Sequence, residues 1–92
     1  MAARFPLGRL VPTPGSLALL ADTGTDPIRL LSRHAVGDWG SVPADDARGN
    51  DLSVREGFRI ISSYPLPPSE ARLWIITEAD RSATTLLLAE EH

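Results

Sequence analysis

The carboxy-terminal segment, residues 72–89, constrains the fold of this chain most strongly. Residues 73–77 and 83–88 are mostly Leu, Trp, Ile and Thr, side chains that suit a pleated, half-buried surface. Residues 79–82 between them read Ala-Asp-Arg-Ser, which is typical of a tight polar turn. The segment therefore predicts an antiparallel β-hairpin, against which the other elements must be placed.

A third strand is predicted just before the hairpin. Side chains from residue 58 to residue 64 alternate, and one side of the strand receives Phe58, Ile60, Ser62 and Tyr64. The proline-rich residues 65–68 end this strand and reverse the chain, because proline cannot donate to a β-ladder. The three strands are predicted to form an antiparallel meander.

Helices are predicted before the strands. Thr13-Pro14 and Asp26-Pro27 each combine a residue that caps exposed amides with a proline tolerated in the first turn. Gly24 and Gly37 can end these two helices. Residues 44–56 favour a third helix despite a poor apolar stripe.

These elements predict a single α+β domain over residues 1–92, with two or three N-terminal helices packed on a small antiparallel sheet. Residues 1–8 are expected to form a loose arm. Residues 9–11 are compatible with a short additional N-terminal strand that ends at Pro12. The order of the elements places the helices in one layer and the strands in another.

The predicted hairpin carries large apolar side chains on both faces. Trp74 and Ile76 lie on one face, and Leu73 and Ile75 lie on the other. A single layer of helices covers only one of these faces. Either the N-terminal arm wraps the second face, or that face contacts another molecule, which includes a second copy of this chain.

Composition narrows the possible partners. The net charge is −3, and phosphate contacts need clustered positive charge, so nucleic acid is not expected as the main partner. There is no cysteine and there are two histidines, which argues against a disulfide framework, a zinc site or another bound metal or cofactor. Apolar runs fall short of the roughly 20 residues that span a bilayer. We expect a cytoplasmic protein without a membrane anchor.

Two residues near the end of the second helix could act in a site. His34 could serve as a general base near neutral pH, or it could simply be a cation that the helix dipole favours. Trp39 could be an exposed anchor for a partner, or a hydrophobic plug between helix and sheet. Residue types alone leave both alternatives open.

The predicted hairpin turn gathers polar groups. The cluster contains Glu78, Asp80 and Arg81, followed by Thr84 and Thr85. Such groups can bind a phosphate or recruit magnesium, but they are also common in any solvated turn. No glycine-rich phosphate loop, nucleophile elbow or paired-histidine motif accompanies them.

Several motifs resemble a group of short uncharacterised bacterial proteins labelled "plasmid-related protein". The motifs are Arg33-His34, Gly37-Asp-Trp-Gly40, Gly57 with Arg59-Ile60, and Trp74-Ile-Ile-Thr-Glu-Ala-Asp-Arg-Ser-Ala-Thr-Thr85. The resemblance covers most of the chain from residue 30 onward. It implies residence on mobile genetic elements, such as plasmids and phage-like islands, and it implies no activity.

A fainter resemblance is to ribonuclease-like modules of the barnase and RelE type, which place helices before a small antiparallel sheet. This resemblance implies metal-independent RNA cleavage, with a base for the ribose hydroxyl and cationic donors for the phosphate. The residues that would supply these groups are His34, Arg59, Glu78 and Thr85.

The leading hypothesis is a non-enzymatic, mobile-element-encoded protein that acts by docking on another protein, for example as an inhibitor of restriction or of a CRISPR complex. Its expected protein-binding residues are Trp39, Trp74, Asp80 and Arg81. Homodimerisation is a further possibility. The alternative function is the metal-independent ribonuclease.

Overall fold

The computed structural model describes residues 2–92 and has an α+β fold, as predicted. Its elements are β1 (Arg9–Pro12), α1 (Pro14–Thr23), α2 (Pro27–Ala35), α3 (Ala44–Glu56), β2 (Ile60–Pro65), β3 (Arg72–Thr77), β4 (Ala83–Leu88) and a final 3-10 turn (Ala89–Glu91). The four strands form one sheet in the order β1-β4-β3-β2. β1 and β2 are therefore the two edge strands.

The predicted meander of β2, β3 and β4 is confirmed, and both of its strand pairs are antiparallel. β1 adds to it on the other side of β4, where Leu10 pairs with Thr84 in a parallel register. The sheet is therefore mixed, and the expectation of a purely antiparallel sheet is wrong. Parallel neighbours need a long crossover connection, and three helices and two strands separate β1 from β4 along the chain.

The helix boundaries follow the capping signals. Thr13 Oγ1 accepts a hydrogen bond from Ser16 N at 3.1 Å. Asp26 Oδ1 accepts one from Ile28 N at 2.9 Å. Gly24 ends α1 in the left-handed conformation, with φ of 63°. Both predicted helix starts are thus confirmed by side-chain caps on the first-turn amides.

One face of the sheet packs against α1 and α2. We call it the helix face, and its side chains are Ile60, Ser62, Tyr64, Leu73, Ile75, Thr77, Thr84 and Leu86, all of which are buried. The helices contribute buried leucines to the same core, namely Leu19, Leu20, Leu30 and Leu31. Each buried leucine contributes about 1.5–3 kcal/mol to folding. This cluster is the main hydrophobic core.

Residues 4 and 5 are fixed to the domain, unlike the loose arm expected for residues 1–8. Phe5 is buried, and its ring stacks on Trp39 with 6.2 Å between centroids. Arg4 N donates to Ala35 O at 2.8 Å. A large aromatic side chain and a paired backbone amide therefore hold this segment at the end of α2.

Candidate functional site

The face of the sheet opposite α1 and α2 forms one wall of a groove. We call it the groove face, and its side chains are Ile61, Ser63, Trp74, Ile76 and Leu87. α3 runs beside it and forms the other wall. The groove has a volume of about 490 Å³ and is lined by Ser41, Val42, Pro43, Asp45, Asp46, Gly49, Asn50, Ser53, Arg59, Ile61, Ser63, Arg72, Trp74 and His92. This volume lies within the range of about 300–1,000 Å³ that is common for ligand sites.

Hydrogen bonds from the Asn50 side chain and from the backbone of residues 39 and 41 close the β2 edge of the sheet beside the groove. Asn50 Nδ2 donates to Ile61 O at 2.8 Å, and Ile61 N donates to Asn50 Oδ1 at 3.1 Å. Ser63 N donates to Trp39 O at 3.1 Å, while Ser41 N donates to Ser63 O at 2.7 Å. The outward backbone groups of β2 are thus occupied, so a partner cannot add a strand there. An occupant of the groove must be recognised by side chains.

Trp74 is the half-buried aromatic residue of the groove. The ring of His92 lies on its indole, with 4.8 Å between centroids. Glu91 positions this last turn, because its Oε1 accepts from Thr13 Oγ1 at 2.9 Å and from Leu88 N at 2.7 Å. The indole therefore has a fixed place in the groove, with part of its surface open to solvent.

Ser63 lies beside Trp74 in the strand register. It is only 5% exposed, and its Oγ makes no hydrogen bond to any residue in the described part of the chain. Buried polar side chains are nearly always paired, so an unpaired hydroxyl in the wall of a groove is unusual. It is the buried side-chain polar atom without a partner in the described part of the chain.

Charged residues surround the Trp74 end of the groove. The chain reverses between α3 and β2, and Asn50 lies opposite Ile61, so the first turn of α3 lies near Trp74. That turn carries Asp45 and Asp46. Arg72 lines both this groove and a smaller neighbouring hollow, which also contains Glu70 and Glu90.

At the other end of the groove, Arg59 is already engaged. Its Nε lies 3.8 Å from Glu78 Oε1. Near Trp74, Asp45 pairs with Arg48 on the same helix. Asp46 and Arg72 make no ion pair within residues 2–92. These two charges are therefore available to an occupant.

Trp39 is buried, so the expectation that it anchors a partner is wrong and the alternative of a hydrophobic plug is correct. It is 6% exposed and packs against both Phe5 and His34. Its Nε1 donates to Asp51 Oδ1 at 3.2 Å. The indole thus joins the N-terminal residues, α2 and α3.

Arg81, expected from the sequence to bind a partner, makes structural hydrogen bonds within the domain. Its guanidinium donates to three backbone carbonyls: to Ser53 O at 2.7 Å, Phe58 O at 2.7 Å and Glu78 O at 3.1 Å. It also lies 5.5 Å from the centroid of the Phe5 ring. The side chain therefore ties the hairpin turn to the end of α3.

Asp80 is exposed in the same turn but does not line the groove. Its Oδ1 accepts from Ser82 N at 3.0 Å. Hydrogen bonds from the side chain and backbone of Ser82 lower the pKa of this carboxyl group. Of the four residues expected to bind a partner, only Trp74 lies in the groove.

His34 is fully buried within a chain of hydrogen bonds. Thr84 Oγ1 donates to Leu7 O at 2.7 Å, so it accepts from Thr77 Oγ1, which lies 2.7 Å away. Thr77 Oγ1 then accepts from His34 Nε2 at 2.9 Å, and His34 Nδ1 accepts from Ser62 Oγ at 2.5 Å. The order of donors fixes the Nε2-protonated tautomer of the neutral imidazole.

The residues of the ribonuclease hypothesis do not form a site. Burial, with a smaller effect from Arg81, lowers the pKa of His34 to about 4, so its imidazole is neutral near pH 7. His34 contacts the helix face, whereas Thr85 follows Thr84 and points to the opposite face. Of this set, only Arg59 and Glu78 form an ion pair within residues 2–92.

Asp38 pairs with Arg33 and makes no hydrogen bond or ion pair with His34. Its Oδ2 accepts from Arg33 Nε at 2.7 Å, and this bond lowers the pKa of the carboxyl group. The Arg33 guanidinium lies 4.6 Å from the centroid of the Tyr64 ring. Tyr64 in turn donates its hydroxyl to Asp38 O at 2.6 Å. Asp38 therefore fixes the loop after α2.

Comparison with known proteins gives no assignment: no family model, curated protein or solved structure matches this chain. The resemblance to plasmid-related proteins stays a prediction. None of the helices within residues 2–92 is both long enough and apolar enough to cross a membrane.

Sequence reasoning gave no binding role to four groove residues, Asp46, Asn50, Ser63 and Arg72. The pair of serines in an otherwise apolar strand, residues 60–64, was the available signal for Ser63. Ser62 forms a hydrogen bond with the buried His34, while Ser63 points to the groove face. Asn50 gave no signal, because its partner Ile61 lies in another element.

Proposed function

We propose that this chain is a non-enzymatic protein-binding module that holds a segment of a partner protein in the groove between α3 and the groove face. The observation that carries the proposal is the half-buried Trp74 in the wall of this groove. Tryptophan is enriched among residues that dominate the free energy of binding, especially in pockets that lose water on binding.

The remaining contacts support a rigid scaffold. The edge of β2 is closed by Asn50 and Ser41, and the hairpin turn is held by Arg81. A preformed groove loses little conformational entropy when a partner binds. The candidate base His34 is buried and neutral near pH 7, which favours binding over acid–base catalysis.

Such a module can act by occupying a surface of its target, without turnover. In combination with the resemblance to proteins of mobile elements, we propose inhibition of a host defence complex, such as a restriction or CRISPR complex, as its biological role. Stoichiometric inhibition requires an interface and no catalytic residues.

Quantitative affinity capture from bacterial lysate tests the binding function. Wild-type protein, Trp74→Ala and Asp80→Arg are compared as bait, since Asp80 is exposed outside the groove. A specific partner should bind the wild type and Asp80→Arg equally. It should bind Trp74→Ala with a loss of about 2 kcal/mol, or roughly 30-fold in affinity.

Urea unfolding of each bait confirms that the variants are folded. Equal capture by Trp74→Ala and the wild type would place the interface away from the groove. If no partner distinguishes the wild type from a blank resin, the chain is not a protein-binding module in that host.

A further inference from the structure

We propose that the segment held in the groove is basic, and that an arginine or lysine side chain of the partner lies at the Trp74 end beside Asp46. This inference rests on the function proposed above and names the chemistry of the partner. Three independent features support it: the charge around this end, the unpaired hydroxyl of Ser63, and the closed edge of β2.

The surface around the Trp74 end of the groove is acidic, although the groove lining itself carries two carboxylates and two guanidiniums. Four carboxylates lie there or in the adjoining hollow, those of Asp45, Asp46, Glu70 and Glu90. Two guanidiniums oppose them, Arg48 through its pair with Asp45, and Arg72, so two negative charges are in excess. The whole chain also has a net charge of −3. A basic partner is therefore attracted to this end, and an acidic partner is repelled.

The geometry at Trp74 suits a cation that also donates hydrogen bonds. Asp46 makes no ion pair within the described residues, 2–92, and can accept from a guanidinium or ammonium. Ser63 Oγ is buried and unpaired in the wall beside Trp74, and it can accept a second bond once its side chain turns toward the groove. The Trp74 ring offers a face for a cation–π contact. Arginine, with five donors, satisfies these acceptors better than a neutral side chain.

The backbone of the partner is not recognised by strand pairing in this groove. Ile61 and Ser63 already use their outward N–H and C=O groups on Asn50, Trp39 and Ser41. Specificity must therefore come from side chains that enter the groove from an extended segment. We therefore expect a basic residue of the partner, placed against Asp46, to decide which segments bind.

The test is an NMR titration of the full chain with three acetylated, amidated pentapeptides, Ser-Xaa-Leu-Xaa-Ser, in which Xaa is arginine, citrulline or glutamate. Citrulline keeps the shape of arginine without its charge. The reporters are the Trp74 indole N–H and the Ser63 amide, and the buried Trp39 indole is the internal reference. Asp46→Asn is compared with Asp22→Asn, the same change at an exposed position on α1.

We expect saturable shifts at Trp74 and Ser63 with the arginine peptide, at least tenfold weaker binding of the other two peptides, and about fivefold weaker arginine binding in Asp46→Asn alone. Equal binding of arginine and citrulline peptides, or preference for glutamate, would overturn the basic partner while the groove remained a peptide site. If no peptide shifts the reporters, both this inference and the groove as a peptide site fail. Shifts that depend only on protein concentration would instead make a second copy the occupant.

Discussion

The side chain of Asn50 replaces a neighbouring strand for Ile61. Its amide nitrogen donates to Ile61 O at 2.8 Å and its amide oxygen accepts from Ile61 N at 3.1 Å. A carboxamide can make both bonds because it carries the same donor and acceptor as a peptide group. This one residue therefore attaches α3 to the edge of the sheet and sets the width of the groove.

Replacing Asn50 should weaken the attachment of α3 to the edge strand β2. In Asn50→Ala the N–H and C=O of Ile61 lose their partners, so we expect the free energy of unfolding to fall by about 2–4 kcal/mol in urea denaturation. Gly49→Ala is the control on the same helix. A Cβ at Gly49 meets no atom within 4 Å, and it should raise the free energy of unfolding by about 0.5–1 kcal/mol. A loss below about 0.5 kcal/mol in Asn50→Ala would contradict the role assigned to this amide.

Acid should destabilise the protein through His34. Burial lowers the pKa of the folded-state imidazole from 6.5 to about 4. Between these pH values the unfolded chain binds more protons, so the free energy of unfolding decreases as pH falls through this window. The total loss is about 3 kcal/mol at roughly 1.4 kcal/mol per pKa unit.

Urea unfolding between pH 4 and pH 7 measures this dependence. His34→Gln should be less stable at neutral pH but should lack most of the slope, because the titrating group is gone. His92→Ala, which removes the exposed histidine, should keep the slope. An unchanged slope in His34→Gln would assign the pH dependence to other groups.

Two glycines with positive φ should respond differently to alanine. Gly40 has φ of 74°, and a Cβ there would overlap the carbonyl oxygen of Ser63. Gly24 has φ of 63°, but a Cβ there meets nothing within 4 Å. We expect Gly24→Ala to lower the free energy of unfolding by about 1–2 kcal/mol and Gly40→Ala by on the order of 3 kcal/mol or more. Similar losses at both positions in thermal or urea unfolding would show that the approach of Gly40 to β2 is looser than described.

Removing the Arg81 guanidinium should loosen the hairpin turn from α3. Arg81→Ala loses hydrogen bonds to three carbonyls, and we expect a loss of about 2–3 kcal/mol in the free energy of unfolding. Arg81→Lys keeps a charge and the same backbone demand at φ of 62°, but its single ammonium cannot reproduce the fork of arginine. The lysine variant should fall between the wild type and Arg81→Ala. Equal free energies of unfolding for Arg81→Lys and Arg81→Ala would contradict a stabilising role for the forked guanidinium.

The local elements were predictable because their signals are local. Thr13 and Asp26 each cap a backbone amide within three residues of their own positions. The residue types that predict the hairpin all lie within residues 72–89. The burial of Ile60 and Tyr64 on one side of β2 was also predictable, whereas Phe58, predicted on the same side, precedes the strand and is 56% exposed. These features depend on spacing along the chain.

The site was less predictable because its residues meet only through tertiary packing. His34 looked like a candidate base, but its partners Ser62 and Thr77 lie 28 and 43 residues later in the chain. Trp39 has Asp and Gly as sequence neighbours and Trp74 has Leu and Ile, yet Trp39 is buried and Trp74 is half-buried in a groove. The Trp39 indole is buried because Phe5 and α3 pack against it. Neither is close to Trp39 in the sequence, so the residues around Trp39 do not predict its burial.

The pairing of β1 with β4 has a consequence for synthesis. The first strand, Arg9–Pro12, pairs with Ala83–Leu88, which leaves the ribosome after three helices and two further strands. A nascent chain therefore exposes Leu10 and Val11 on an unpaired strand while the helices and the rest of the sheet are being made. Because long-range pairing of this kind forms late, the sheet can be completed only after β4 has been translated.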